Sequence, residues 1–191
     1  MGRVGRAKEC SSSYLSFLIS KGDYMENTST VFRFGWSIKD QYKKDIDLDA
    51  SAFLLNKHGK INTINDFVFY NNKYHLSGAV IHSGKNYESD DSFVETITID
   101  TELLPKDVEM IALTISFYDS EIKNLKLFEV ANDITIHNGE MEDVYVSDVE
   151  MPEQSAMICG YYMRNKTKWE FHPTKEGFAG GLESLLKHFK N

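Results

Sequence analysis

Hydrophobic and polar residues alternate with a period of two through much of this chain. Within Ile111–Phe117, isoleucine, leucine and phenylalanine occupy every second position, and alanine, threonine and serine occupy the positions between them. Glu95–Ile99 repeats the pattern, with isoleucines on one face and threonines on the other. Such runs of β-branched and aromatic residues predict half-buried β-strands.

The same criterion predicts strands elsewhere, at Thr30–Trp36, Leu48–Leu55, Phe67–Tyr70, Ala79–His82, Leu125–Val130, Asp133–His137, Asp143–Ser147, Ala156–Met163 and Lys168–His172. Turn-forming pairs such as His58-Gly59 and Asn138-Gly139 separate several of them. The C-terminal segment instead has a helical stripe, formed by Phe178, Leu182, Leu185, Leu186 and Phe189. Short strands without a βαβ rhythm predict an all-β fold, a two-sheet β-sandwich with short helices that include a C-terminal amphipathic helix.

The domain organisation is predicted to be simple. The 191 residues fit one domain, and no Pro/Gly/Ser-rich linker divides them. Residues 1–13 are predicted to form a flexible N-terminal tail, and residues 14–191 the β-sandwich domain. The apolar stretch Tyr14–Ile19 is shorter than the roughly 7–15 residues of a signal peptide core. No run reaches the roughly 20 apolar residues of a membrane span. We therefore expect a soluble, cytoplasmic protein without direct membrane insertion.

Charge and cysteine content restrict the possible functions. The formal net charge is −8, whereas a nucleic-acid surface requires a basic stripe, so we expect no nucleic-acid partner. Cys10 and Cys159 are far apart and form no CxxC pair, which disfavours a thiolate zinc site. Cys159 lies in an apolar run and is predicted to be a buried small hydrophobe.

The main candidate for chemistry is the run Asp45-Ile46-Asp47-Leu48-Asp49, in which carboxylates alternate with apolar residues at the start of a predicted strand. Alternate strand residues point the same way, so the three acids can converge. Converging carboxylates repel one another and require a proton or a cation. Calcium, which takes six to eight oxygen ligands, suits such a set.

This run has two other interpretations. An EF-hand is excluded because Ala50 stands where the loop requires glycine, and Asn56 where it requires glutamate. Alternatively, the acids are exposed charges that discourage pairing at a strand edge. More acids lie near other predicted strand ends, at Asp66, Asp90, Asp91, Glu95 and Asp119. If these loops meet at one end of the sandwich, the cluster is dense enough to need cations.

Several motifs, in order and with comparable spacing, resemble the TerD family of tellurium-resistance and stress proteins. The most specific are Asp45–Phe53 (DIDLDASAF), Asp66–Asn72 (DFVFYNN) and Gly78–Gly84 (GAVIHSG). The resemblance covers roughly residues 15–189 and includes further segments at Phe34–Trp36, Leu104-Pro105, Ser155–Gly160, Lys168–Phe171 and Gly177–Leu182.

The resemblance implies a β-sandwich that binds calcium, usually two ions, and a part in bacterial stress responses that include tellurite resistance. It implies no catalytic reaction. The metal ligands expected on this basis are Asp45, Asp47, Asp49, Asp66, Asn72, Asp90, Asp91, Glu95 and Asp119. The chain departs from the family pattern in two places. Three residues separate Asp90-Asp91 from Glu95, and Lys85 stands where the family often has aspartate.

Two other functions remain open from the sequence. One is a calcium-stabilised interaction module that recruits other stress-resistance proteins or a membrane complex, suggested by Tyr42, Tyr74 and Tyr87 near the acidic segments. The other is a metal-dependent phosphoester hydrolase, since clustered carboxylates can hold two metals. No GxSxG, Walker A, GxGxxG or HExxH sequence supports catalysis, so we expect a protein that is not an enzyme. His82 is the histidine nearest the acidic loop, and a structural role is expected for it.

Overall fold

Two antiparallel β-sheets enclose the main hydrophobic core of the protein. The computed structural model describes residues 28–42, 47–87, 92–117, 126–139, 144–145 and 154–190. The predicted all-β sandwich with a helix near the C-terminus is confirmed. The predicted tail, residues 1–13, lies outside the described residues.

The first sheet has six described strands, β1 (Ser29–Ile38), β4 (Val80–His82), β5 (Asn86–Tyr87), β6 (Ser92–Asp100), β8 (Ala131–His137) and β9 (Val144–Tyr145). Its order is β4-β6-β1-β8-β9, and the short β5 also pairs with β6. Strand β1 buries every second residue from Phe32 to Ile38, as its alternating sequence predicts.

The second sheet has five described strands, β2 (Leu48–Leu55), β3 (Phe67–Val68), β7 (Met110–Phe117), β10 (Ala156–Asn165) and β11 (Lys168–Phe178), in the order β11-β10-β7-β2-β3. All eight residues of β2 are buried. One face of β2 lies against the first sheet and the other lies under the C-terminal helix, which explains its nearly continuous apolar sequence.

Two α-helices are described, α1 (Leu127–Val130) and α2 (Gly181–Phe189). The strand predicted over Leu125–Val130 is therefore wrong across residues 127–130. Phe178 was predicted to belong to the C-terminal helix but ends β11, because Gly180 adopts a positive φ of 96° and breaks the chain before α2. Leu185 and Phe189 of α2 pack with Phe53 and Leu55 of β2 in a second, smaller hydrophobic cluster.

Neither helix in the described residues is long and apolar enough to cross a membrane. Short 3-10 helices at Asp40–Tyr42 and Ile64–Asp66 precede β2 and β3; short helices were predicted, but not these positions. The candidate site lies where the first residues of β2 approach two other parts of the chain. These are strand β6 and the segment that follows β4.

Candidate metal site

The start of β2 brings two of the predicted acids into the described structure. Asp47 precedes the strand and is exposed, whereas Asp49 lies within it and is only 6% exposed. Strand β3 pairs only with Ala52 and Phe53, so it does not extend along the start of β2. The backbone of Ala50 is therefore free to meet side chains from the other sheet.

Glu95 and His82 satisfy this backbone from the first sheet. The N–H of Ala50 donates to Oε2 of Glu95 at 2.6 Å, and Nε2 of His82 lies 3.0 Å from the carbonyl oxygen of Ala50. Both side chains are fully buried. Because buried backbone groups need partners, these contacts take the place of the missing neighbouring strand.

The hydrogen bonds of His82 assign its tautomer. The N–H of Gly84 donates to Nδ1 at 2.9 Å, so Nδ1 accepts and Nε2 carries the hydrogen. That hydrogen faces both the Ala50 carbonyl and Oε2 of Glu95, which lies 3.3 Å from Nε2. Both ring nitrogens are thus occupied, and His82 acts as a structural link between the sheets.

Glu95 retains one unsatisfied oxygen. Its side chain points into the sandwich, because its cross-strand partner Phe34 is a buried core residue. Among the described atoms, Oε1 of Glu95 has no hydrogen-bond partner. A buried carboxylate oxygen without a donor is costly, and a cation would stabilise it.

Lys85 supplies a cation at this site. Its Nζ contacts the carboxylate of Asp47 and lies 3.8 Å from Oδ1 of Asp49. The same ammonium lies 6.0 Å from the ring centroid of Trp36 and 5.9 Å from that of Phe93, two stacked aromatic residues paired across β1 and β6. Cation–π attraction therefore adds to the ion pairs.

The electrostatics confirm that charge is concentrated here. Burial, followed by the negative charge of Glu95, raises the pKa of Asp49 to about 7. Burial lowers the pKa of Lys85, and the charge of Glu95 opposes that shift. Three carboxyl groups thus face one ammonium, so negative charge remains in excess.

The donors suit a hard cation. Asp47, Asp49 and Glu95 offer carboxylate oxygens, the ligands that calcium prefers, and Oε1 of Glu95 has no hydrogen-bond partner among the described atoms. Within the described ranges, however, no three acidic, histidine or cysteine side chains converge closely enough to hold a metal ion. The Lys85 ammonium, not a fourth carboxylate, lies among the described acids.

The other predicted ligands have different placements. Asp45, Asp90, Asp91 and Asp119 lie outside the described residues. Asp66 lies beside β3, and the neighbouring Phe67 pairs with Phe53, four residues and about 13 Å along β2 from Asp49. The structure therefore does not bring Asp66 into the group formed by Asp49 and Glu95.

Local bonds occupy Asp66. Its Oδ2 accepts from the N–H groups of Asn62 and Thr63, at 2.9 and 2.7 Å, and its Oδ1 lies 3.3 Å from Nε2 of His75. In the same region Nδ2 of Asn72 donates to the carbonyl of Phe67 at 2.7 Å. These bonds fasten the segment around β3.

A serine, a histidine and an aspartate also line up in this segment. Oγ of Ser77 lies 2.8 Å from Nδ1 of His75, whose Nε2 faces Asp66. Backbone groups occupy the histidine and the serine. The N–H of Ser77 donates to Nδ1 of His75, and the N–H of Ala79 donates to Oγ of Ser77. These bonds form a tight turn, which gives the arrangement a structural explanation.

The sequence predicted a structural role for His82, but neither its partner Ala50 nor the place of Lys85 in this site. The sequence shows lysine at position 85, where the resemblance led us to expect an acid. It does not show that the ammonium of Lys85 contacts Asp47 and lies near Asp49. The link from His82 to Ala50 joins residues 32 positions apart, and alternation within one strand does not show it.

Comparison with known proteins identifies the family. A sequence profile of the TerD domain matches residues 19–189. The protein YceE of Bacillus subtilis (strain 168) is 32% identical, with 92% of this chain and 98% of the relative covered. General stress protein 16U of the same organism is 30% identical, covering 92% and 97%. Tellurium resistance protein TerD of Serratia marcescens is 29% identical, covering 81% and 83%.

The fold agrees with this assignment. The crystal structure of a homologue of telluride resistance protein TerD from Streptomyces coelicolor A3(2) superimposes with a TM-score of 0.65 at 17% identity, covering 81% of this chain and 92% of that chain. A domain profile over most of the sequence, relatives matched over nearly their whole length and a shared fold lead to one conclusion: the chain belongs to the TerD family.

Proposed function

We propose that this protein is a calcium-binding stress-response protein that acts without catalysing a reaction. Its relatives include proteins named for general stress and tellurium resistance, and these names do not describe enzymes. Calcium would draw the carboxylates of Asp47, Asp49 and Glu95 together, and would order the acidic segments at this end of the sandwich.

The observation that carries the proposal is the fully buried carboxylate of Glu95, which has one oxygen without a hydrogen-bond partner among the described atoms. Asp49, also buried, lies close enough for the Glu95 charge to raise its pKa. Burying two mutually repelling carboxylates costs free energy unless a proton or a cation compensates them. A divalent cation with oxygen preference compensates more charge than the single Lys85 ammonium can.

Calorimetric titration tests the proposal. We expect the metal-free protein to bind Ca²⁺ below millimolar concentration, and Glu95→Gln to weaken binding on the order of tenfold or more, because ligand charge sets calcium affinity. Glu102→Gln is the matched control, since Glu102 is exposed beyond the other end of β6. No binding at millimolar Ca²⁺, or equal weakening by both variants, would contradict the proposal.

A second candidate function is a calcium-stabilised interaction module for other stress-resistance proteins. The observation in its favour is a group of exposed apolar side chains near the β4 edge of the first sheet. Tyr74 is 65% exposed, Leu76 82% and Leu103 51%. Tyr74 forms an isolated bridge with Ile81, which is also exposed. Exposed apolar groups of this kind often mark interaction sites.

Purification of the tagged protein from stressed cells, with and without a calcium chelator, tests this candidate. We expect Leu76→Glu to remove partners that the wild type retains in calcium, and Ile64→Glu to leave them unchanged. Ile64 is the control because it is 54% exposed on the short helix beside β3. Identical partner sets for all three proteins, with or without chelator, would contradict calcium-dependent recruitment.

A further inference from the structure

Lys85 carries its charge into the acidic site instead of into solvent. Lysine side chains usually extend so that the ammonium remains in water. Here the side chain is 19% exposed, and its Nζ contacts Asp47 and lies 3.8 Å from Asp49. The rings of Trp36 and Phe93 bound the ammonium on another side. The two carboxylates and the two aromatic rings therefore hold the ammonium at the position that a metal cation would take.

We propose that Lys85 is an intramolecular counter-cation that occupies the site in the calcium-free protein and leaves it when Ca²⁺ binds. This inference rests on the proposed calcium-binding function and adds that the chain limits its own calcium affinity. The ammonium and the calcium ion would compete for the same oxygens of Asp47 and Asp49, and at such short range they would repel each other.

The local structure lets the side chain move while the backbone stays in place. Lys85 lies in the irregular segment between β4 and β5. The preceding Gly84 is buried, and its N–H donates to Nδ1 of the fully buried His82. His82 in turn contacts the carbonyl of Ala50. The backbone before Lys85 is therefore fixed to β2. The flexible four-carbon side chain of Lys85 can still rotate away from Asp47 and Asp49.

Occupancy of the site by Lys85 explains in part how clustered acids are tolerated without calcium. Its ammonium contacts Asp47 and lies 3.8 Å from Oδ1 of Asp49, so the lysine compensates part of the negative charge before a metal arrives. A chain with a neutral residue at position 85 would lack this compensation and would offer its carboxylates directly to calcium.

Calorimetric titration of Lys85→Met and Lys85→Arg against wild type tests the competition. We expect Lys85→Met to bind Ca²⁺ roughly 5–150-fold more tightly, the range typical of coupling between two binding events. Lys85→Arg keeps the positive charge and should bind like wild type. Lys57→Met is the matched control, because Lys57 is exposed in the turn beyond the other end of β2 and its loss changes the net charge equally.

The outcomes separate this inference from the proposed function. Equal calcium affinity of wild type and Lys85→Met would overturn the counter-cation and leave the calcium function standing. Binding by Lys85→Met alone would support the counter-cation and overturn calcium as a ligand of the wild type. An absence of binding in every variant at millimolar Ca²⁺ would overturn both.

Labelling of the wild-type protein provides a test that requires no substitution at Lys85. A short pulse of an amine-acetylating reagent, read by mass spectrometry, reports the exposure of each lysine. We expect saturating Ca²⁺ to increase acetylation of Lys85 several-fold while Lys57 stays constant as the internal reference. Unchanged or reduced labelling of Lys85 in calcium-saturated protein would overturn the displacement.

Discussion

At the start of β2, buried polar side chains provide hydrogen bonds that a neighbouring strand would otherwise supply. The backbone of Ala50 lacks a neighbouring strand at the start of β2, and Glu95 and His82 provide its hydrogen bonds from the opposite sheet. The alternation of the acids places Asp47 and Asp49 on one side of the chain, and the ammonium of Lys85 lies near both. The link to His82 could not be predicted, because it depends on how closely the two sheets approach.

His82 is expected to contribute strongly to stability. Its ring satisfies the Ala50 carbonyl and the Gly84 N–H in a fully buried position. His82→Ala leaves both groups without these partners, so the free energy of unfolding should fall by about 1–3 kcal/mol. Urea denaturation measures the change, with the exposed His172→Ala as control. Equal stability of the two variants would show that the link carries little energy.

At the scale of elements, the strands were predicted better than their boundaries and connections. Strand β2 begins and ends where predicted, because its apolar run is long and turn residues bound it. The helix α1 was predicted as a strand, because four residues are too few to show a helical period. Hydrogen bonds from distant segments support that helix: Lys39 N–H donates to Val130, and Leu127 N–H donates to Gln154.

The N-terminus of the C-terminal helix α2 is capped by a residue that is distant in the sequence. Oγ of Ser155, just before β10, accepts hydrogen bonds from the N–H groups of Gly180 and Gly181, at 3.0 and 2.8 Å. Glycine at these positions provides no side-chain cap of its own. A local pattern therefore predicts the helix but not the residue that caps it.

Ser155→Ala should destabilise the protein through this cap. The substitution removes the acceptor of two helix N–H groups, and we expect a loss of about 1–2 kcal/mol in the free energy of unfolding. Ser184→Ala, within α2, is the control and should be neutral or slightly stabilising, because alanine favours helix. Similar losses for both variants would argue against the cap.

At the scale of the whole molecule, the sandwich shields its interior chemistry from solvent. Cys159 of β10 is fully buried, as predicted, and burial raises the pKa of its thiol to about 12. The ordinary value is 9.0, so the unfolded chain ionises first as pH rises. Between these values the unfolded state binds fewer protons than the folded state, and this thiol makes stability fall with increasing pH.

Cys159 is therefore expected to report unfolding of the whole domain. In a Cys10→Ser variant, which retains only this thiol, an aromatic disulfide reagent at pH 8 should react slowly in native buffer and rapidly in urea. If calcium stabilises the folded state, it should slow the native reaction further. Immediate reaction of the folded protein would show that β10 opens without global unfolding.

A crystal structure of the calcium-soaked protein is the sharpest test of the proposed calcium site at the junction of the two sheets. The proposed site requires an ion with oxygen ligands from Asp47, Asp49 and Glu95, at about 2.3–2.6 Å, and Lys85 turned away from these carboxylates. A calcium-saturated structure with no ion at this position, or with Lys85 still on Asp47, would contradict it.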